Sequence, residues 1–435
     1  MTKEDVSFTV KCNLCCGCGV CVGICPKKCI SWEKKNGMYL PQIERISCIQ
    51  CGICAKVCPG LGHVYRDSDG ITAVLGNVLE SFNAWNNIPE IRHRSASGGI
   101  VTAIVSKLMR SGEYDAAFML DTYDYHRQLY TSPIFKDTFI NWDNSSFQKS
   151  RYLPVSHEKA VCYIKEDEDK KAIFIGTSCA IRGLQNVISS LNRSVNNYLF
   201  IGLFCDRVFN YNIVNYYQNY KAGSKKITDI HFKNKESGGW PGNMKIWFSD
   251  GSCEYWDKRE RTSQKDYFMP ERCLYCIDKL NVYADISVGD NYTKQNSSEL
   301  GSNSVIIRTN KGLDAWNKIS SEITFESVDP EKILASQYID WRLNNECYAK
   351  HKEKQIYKQT NEIIDLNQNI NIERNPSMYK ERWINSVNML HAGEIYLENP
   401  GELEKQRNMS EKRKNPSEVK KYFRRFVNYI KRKVY

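Results

Sequence analysis

Cys15-Cys16-Gly17-Cys18-Gly19-Val20-Cys21-Val22-Gly23-Ile24-Cys25-Pro26 and Cys48-Ile49-Gln50-Cys51-Gly52-Ile53-Cys54-Ala55-Lys56-Val57-Cys58-Pro59 are two runs of one pattern, C-x2-C-x2-C-x3-C-P. Three thiolates at this spacing wrap one face of a four-iron cubane, and the fourth crosses to a second one. The proline behind each fourth cysteine ends a short helix and offers no N–H. On this logic Cys15, Cys18, Cys21 and Cys58 hold one [4Fe–4S] cluster, and Cys48, Cys51, Cys54 and Cys25 hold the other. Gly17, Gly19 and Gly52 have no side chain and let the backbone come close. Zinc knuckles also use C-x2-C, but they need neither a third x2 repeat nor a Cys-Pro ending, and both occur twice here. Cys12, Cys16 and Cys29 fall outside the pattern and read as spectators, small buried hydrophobes.

Working outward, 435 residues imply more than one core. No stretch approaches the roughly 18 apolar residues that span a bilayer, and the charged start leads into no signal-peptide core. The expectation is a cytoplasmic protein with reduced thiols. Its 18 cysteines, eleven of them before Pro59, then point to metal or redox chemistry rather than disulfides. The net charge of +11 is a tail effect: residues 401–435 carry twelve Lys/Arg against four Asp/Glu, leaving +3 for the rest. A basic tail on a near-neutral body argues against nucleic acid as a partner.

Beyond the N-terminal module, Arg94-Ser95-Ala96-Ser97-Gly98-Gly99 opens the apolar-periodic run Ile100–Met109, a helix start that Gly112 closes. Free N–H groups there suit a phosphate, although most Ser-Gly helix starts are plain N-caps. Ala172–Ile175 reads as a buried strand, Ala180–Leu191 as a helix and Asn197–Phe204 as a second, parallel strand. Cys179 and Cys205 therefore stand at strand carboxyl ends, where α/β folds gather ligands. With the Cys273-x2-Cys276 pair they make a candidate third cluster site, against the alternatives of buried core cysteines and a zinc or redox pair. Asp285 and Asp290 are expected to flank a glycine turn.

These stretches, in this order, resemble the coenzyme F-420 hydrogenase/dehydrogenase beta subunit family of flavin- and iron–sulfur-dependent oxidoreductases. The resemblance rests on Ser95–Gly99, Ser150-Arg151-Tyr152-Leu153, Gly176–Cys179, Gly202–Cys205, Phe232–Lys235 with Gly239-Trp240, Cys273-x2-Cys276 and Ala284–Asp290. It implies FAD near Ser95, Ser97, Gly98, Gly99, Ser150, Arg151 and Tyr152, and a third [4Fe–4S] cluster on Cys179, Cys205, Cys273 and Cys276. Arg151, Lys233 and Lys235 could neutralise a pyrophosphate or reduced flavin, although surface lysines on strands are as ordinary a reading. Ser178 stands where the family usually has proline, and Val155 where serine is common. Related proteins pass electrons to deazaflavin or chlorophyll-type substrates, and others belong to bacterial polysaccharide-synthesis settings.

The expected fold is thus a multidomain α+β and α/β chain. It comprises a two-cluster ferredoxin-like module (1–65), a mixed α/β flavin-binding body in two subdomains (80–160 and 161–335) and a helical extension (336–435). Helices that face solvent and pack on the body are expected from 329 to 382. Asn415-Pro416-Ser417-Glu418 then starts a helix with Val419, Tyr422, Phe423, Phe426, Val427, Ile430 and Val434 on one face and Lys or Arg on the other. Residues 417–435 suit peripheral contact with an anionic inner membrane face, or docking on the body or a partner. The expected activity is a flavin- and iron–sulfur-dependent reductase or dehydrogenase acting on a small molecule, with ferredoxin or a reductase as redox partner. The alternative is a non-catalytic electron-transfer subunit.

Overall fold

The computed structural model of the protein describes residues 4–61, 74–120, 125–139, 150–295, 298–367, 376–401, 403 and 405. The expected amphipathic helix over 417–435 lies outside them.

Residues 4–61 form short helices around an antiparallel hairpin, β1 (Ile30–Lys35) paired with β2 (Met38–Ile43). Each cysteine run contains a left-handed glycine, Gly19 or Gly52, that opens a short helix, Val20–Ile24 or Ile53–Lys56. The glycines at 17 and 19 also allow close packing, because a Cβ on Gly19 would meet the Ser156 side chain and one on Gly17 would lie 2.9 Å from Pro154. Their demand is therefore conformational and steric at once.

The body is built on a nine-stranded mixed sheet. Its strands are β3 (Glu80–Asn86), β4 (Ala116–Leu120), β5 (Leu129–Phe135), β6 (Val155–Ser156), β7 (Ala172–Gly176), β8 (Tyr198–Leu203), β12 (Ile286–Asp290), β13 (Asn303–Ile307) and β14 (Ile323–Ser327). The order is β14-β3-β13-β12-β8-β7-β4-β5-β6, so strands from before and after residue 160 share one sheet. Its centre is parallel: β12 pairs with β8, β8 with β7 and β7 with β4. These strands are buried on both faces, which is why they read as unbroken apolar runs such as Ala172-Ile173-Phe174-Ile175. A separate antiparallel sheet holds β9 (Ile227–Asn234), β10 (Asn243–Phe248) and β11 (Cys253–Trp256).

The helix expected at 180–191 spans Ser178–Ser190 and the one at 100–109 spans Ile100–Arg110. One expectation needs correction. Gly289 and Asp290 end strand β12 instead of forming a turn, because they pair with Ser304 and Asn303 of β13, and the Phe204 ring leaves no room for a Cβ at Gly289. The helices after Asp329 pack on the body: Ile339, Arg342, Cys347, Ala349 and Ile356 are buried against it and against the N-terminal module.

The helix Asn310–Ile319 tests how tightly the sheet edge is packed. An alanine at Gly312 would gain about 1 kcal/mol of helix propensity. Its Cβ, however, would stand 2.4 Å from the Asp285 carbonyl oxygen, a backbone atom with little freedom to yield. We expect Gly312→Ala to lower the melting temperature, with the overpacking cost of about 1–3 kcal/mol exceeding the gain. A raised melting temperature would contradict this packing.

Candidate functional site

All functional candidates of the body gather on one edge of the sheet. The parallel strands β7, β8 and β12 run towards it, carrying Cys179, Cys205 and Asp290 at or just past their carboxyl ends. β3 reaches the same edge, where the Asn86 N–H donates to the Gly98 carbonyl at 2.8 Å and seats the Ser-Gly-Gly turn. The N-terminal module is fastened to this edge as well. The His157 N–H donates to the Cys18 carbonyl at 2.8 Å, and Gly183, on the helix after Cys179, leaves room for Val20 and Pro59.

Three sets of thiols follow one another through this junction, and among the described residues every cysteine is free. Cys25, Cys48, Cys51 and Cys54 line one cavity together with Asp5, Ile30 and Ile43. Cys15, Cys18, Cys21 and Cys58 are mutually close: burial, and then the Cys58 thiolate, push Cys15 up to about 12. Burial and the neighbours Cys58, Cys15 and Cys54 likewise raise Cys21, so the two N-terminal sets adjoin. Cys179 touches on this set from the body, since it disfavours ionisation of both Cys15 and Cys18. Cys205, raised first by burial and then by Cys273, Cys179 and Cys276, completes the third set. Among the described residues, no three His, Cys, Asp or Glu side chains converge as the ligands of a single ion. Thiolates of a cubane are borne by different irons and stand farther apart.

The three cysteines outside the pattern sit in different surroundings. Cys12 packs in the apolar cluster with Val6, Phe8 and Leu14, as a small hydrophobe would. Cys16 lies beside both Cys18 and Cys179, at the contact of two thiol sets. Cys29 lines the cavity, its Sγ 3.5 Å from that of Cys25. Nothing in the spacing alone distinguishes these cases.

The residues expected near a flavin are placed less uniformly. Ser95 Oγ donates to the Ile91 carbonyl and Ser97 Oγ to the Ser302 carbonyl, so both hydroxyls shape the turn. Lys235 is buried, and its Nζ donates to the carbonyls of Arg92, Ser97 and Leu300, bracing the same turn from behind. Lys233 is buried too, in an ion pair with Asp290. Neither lysine is a solvated strand residue. Burial alone would lower the Lys233 ammonium, but the Asp290 carboxylate beside it holds it above the ordinary lysine range. Burial would raise Asp290, but Lys233 and hydrogen bonds from Tyr292 and Trp240 hold it below the ordinary carboxylate range. Lys233 and Arg261 approach the Tyr152 ring to 5.9 and 5.7 Å. Tyr152 is left-handed at φ +54°, a conformation that costs a non-glycine residue about 1–3 kcal/mol and marks functional sites. Arg151 is buried next to Asp229, and Ser150 is half-buried at the start of the segment. Sequence reasoning missed Asp290, Trp240, Tyr292 and Arg261 as one group, because long-range pairs across 57 residues, such as Lys233–Asp290, leave no local pattern.

Two families described as the N-terminal and C-terminal parts of the coenzyme F420 hydrogenase/dehydrogenase beta subunit match this chain, the first over residues 81–134 and the second over residues 169–333. An uncharacterized protein of Methanocaldococcus jannaschii is 24% identical over 361 residues, covering 76% of this chain and 93% of that protein. Among solved structures, the F420-reducing [NiFe] hydrogenase complex from Methanosarcina barkeri aligns with a TM-score of 0.47 and 17% identity, over 68% of this chain and 98% of that one.

Asp290→Asn should destabilise the protein by about 3–5 kcal/mol, because it leaves a buried ammonium without its counter-charge. In the wild type the depressed carboxylate and raised ammonium keep the pair ionised from about pH 5 to 9, so its contribution is flat there. In the variant the unpaired lysine can shed its proton, so the deficit should shrink as pH rises from about 7 to 9. Denaturation curves across that range check both statements. A loss below about 1 kcal/mol, or one independent of pH, would contradict them.

Proposed function

Because the chain belongs to the coenzyme F420 hydrogenase/dehydrogenase beta subunit family, we propose that it is an iron–sulfur flavoprotein exchanging electrons between one-electron centres and a two-electron flavin that serves a small substrate. The observation that carries this reading is the succession of three thiol sets, from the cavity at Cys25, Cys48, Cys51 and Cys54 through Cys15, Cys18, Cys21 and Cys58 to Cys179, Cys205, Cys273 and Cys276.

The donor sets fit the group. Desolvated thiols crowded together resist ionisation, and a positive metal centre among them removes that resistance. Cys15, Cys18, Cys21 and Cys58 would hold one [4Fe–4S] cluster, Cys25, Cys48, Cys51 and Cys54 a second, and Cys179, Cys205, Cys273 and Cys276 a third. Such centres supply one-electron transfer when bound. The cavity set opens to solvent, its Cys51 exposed beside the exposed Ile46 and Ile49. A redox partner such as ferredoxin or a reductase would meet the protein there.

For FAD, the relevant elements are the Ser97-Gly98-Gly99 turn, Arg151, Tyr152 and the Lys233–Asp290 pair. Gly99 is left-handed and caps the helix Ile100–Arg110; the Ile100 N–H already donates to Asn303 Oδ1 at 3.4 Å, and the first-turn N–H groups behind it suit a phosphate. Gly98 leaves no room for a side chain between the Ala84 carbonyl and Asn303, which keeps the turn flush with the strand ends. Lys233 and Lys235 already have protein acceptors, so they set the charge and shape of the turn rather than gripping a phosphate directly.

A second reading, an electron-transfer subunit without a substrate of its own, is favoured by the family's description as a beta subunit. Turnover of a small acceptor by the purified protein with a reduced viologen separates the two, since a subunit of that kind would stay idle until its partner is added.

Anaerobically prepared full-length protein should carry about twelve irons, by the four-iron count, and one flavin. The double variant Cys273→Ala, Cys276→Ala should lose about four irons and keep about eight. Iron and flavin analysis checks this. Eight irons in the wild type, or zinc in place of iron, would contradict the proposal.

A further inference from the structure

Two arginines enclose the Cys179, Cys205, Cys273 and Cys276 set, and neither has a full complement of acceptors. Arg342 is 6% exposed and Arg272 7%. The Nε of Arg342, and both Nε and Nη1 of Arg272, are buried with no hydrogen-bond partner. A guanidinium carries five N–H donors and keeps its charge at any physiological pH. Leaving such donors dry is costly unless an acceptor faces them.

The surroundings narrow what that acceptor is. Arg342 ends the helix Ile339–Arg342 and reaches the Asp206 carboxylate only loosely, Nη1 to Oδ1 3.7 Å. Asp206 follows Cys205 and is shared with Arg207, at 3.2 Å, and Lys279, at 3.9 Å, so it does not consume the Arg342 charge. The Cys276, Cys205 and Cys273 thiols also act on the Arg342 charge. Arg272 directly precedes Cys273; its Nη2 donates to the Leu366 carbonyl at 3.2 Å, and it acts on Cys179. Asn345 donates to the Cys276 carbonyl at 2.9 Å, which ties the helix after Arg342 to the same loop. The family match ends at residue 333, so Arg342 comes from a part of the chain outside it.

We propose that Arg272 and Arg342 are positioning residues for the centre held by Cys179, Cys205, Cys273 and Cys276, donating their buried N–H groups to its sulfur atoms and favouring its reduced state by their charge. This rests on the reading that those four cysteines hold an iron–sulfur cluster. The redox change involved adds one electron, breaks no bond and moves no proton. Two fixed positive charges in a dry site therefore stabilise the more negative state, and hydrogen bonds to the sulfurs act in the same direction. The C-terminal helices thereby join the site electrically, and the third centre becomes a better acceptor for electrons from the N-terminal sets.

The test is a dithionite titration of anaerobic full-length protein followed by EPR, for wild type, Arg342→Gln, Arg272→Gln and Arg342→Lys. The Gln variants should keep about twelve irons. The signal lost in the Cys273→Ala, Cys276→Ala variant should appear at a lower potential in each of them, while the two N-terminal signals stay in place. Arg342→Lys, which keeps the charge but loses the planar fork, should shift less. If a Gln variant does not load iron, the Lys variant decides: full iron with a lowered potential supports the proposal. A wild-type potential in the loaded Gln variants, in the Lys variant standing in for them, or an equal shift of all three signals, overturns it. Eight irons in the wild type would instead remove the cluster itself, and the inference with it.

Discussion

Thiols buried side by side cannot all ionise unless something positive sits among them, and most of what this chain does follows from that constraint. Cys15, Cys21 and Cys205 are each raised first by desolvation and then by other thiolates, not by apolar surroundings alone. Here the glycine-opened short helices, the hairpin β1–β2 and the loop at 273–276 all serve to bring sulfur atoms together. On the proposed reading, metal centres in the thiol sets and, at the third set, Arg272 and Arg342 would answer the charge problem this creates.

The parallel heart of the sheet is what makes the third set possible. Parallel strands all deliver their carboxyl ends to one edge, so residues far apart in sequence arrive together without long loops. Cys179, Cys205 and Asp290 come from three such strands, and the Ser-Gly-Gly turn is seated by a fourth. The N-terminal module docks on the helix that starts with Ser178, so its cysteines meet Cys179 at the shared boundary. Cys16, beside both Cys18 and Cys179, stands at that meeting point. The C-terminal helices close the far side, since Ile356, Ile364 and Leu390 share one apolar cluster with Phe8, Leu14 and Tyr275.

What could be read in the sequence is what local spacing encodes. The paired cysteine runs, the strand–helix–strand unit at 172–204 and the helix behind Gly99 are all patterns within a few turns of chain, and the elements form where the patterns fall. The Lys233–Asp290 pair, the triple carbonyl grip on Lys235 and the placement of Arg342 depend on the tertiary fold and have no local signature. Asp290 shows the cost of reading locally: an Asp after Gly suggests a turn, yet pairing with β13 keeps the strand extended and the carboxylate meets Lys233. Cys16 and Cys29 likewise looked equivalent to Cys12 until the fold placed them next to other thiols.

The central claim is that three iron centres lie in succession between the N-terminal module and the strand edge. Anomalous diffraction at the iron edge, from anaerobically grown crystals of the full-length protein, tests it most directly. The account predicts three separate iron peaks, beside Cys25, Cys48, Cys51 and Cys54, beside Cys15, Cys18, Cys21 and Cys58, and beside Cys179, Cys205, Cys273 and Cys276. No peak beside the third set, or peaks at the zinc edge only, would contradict it.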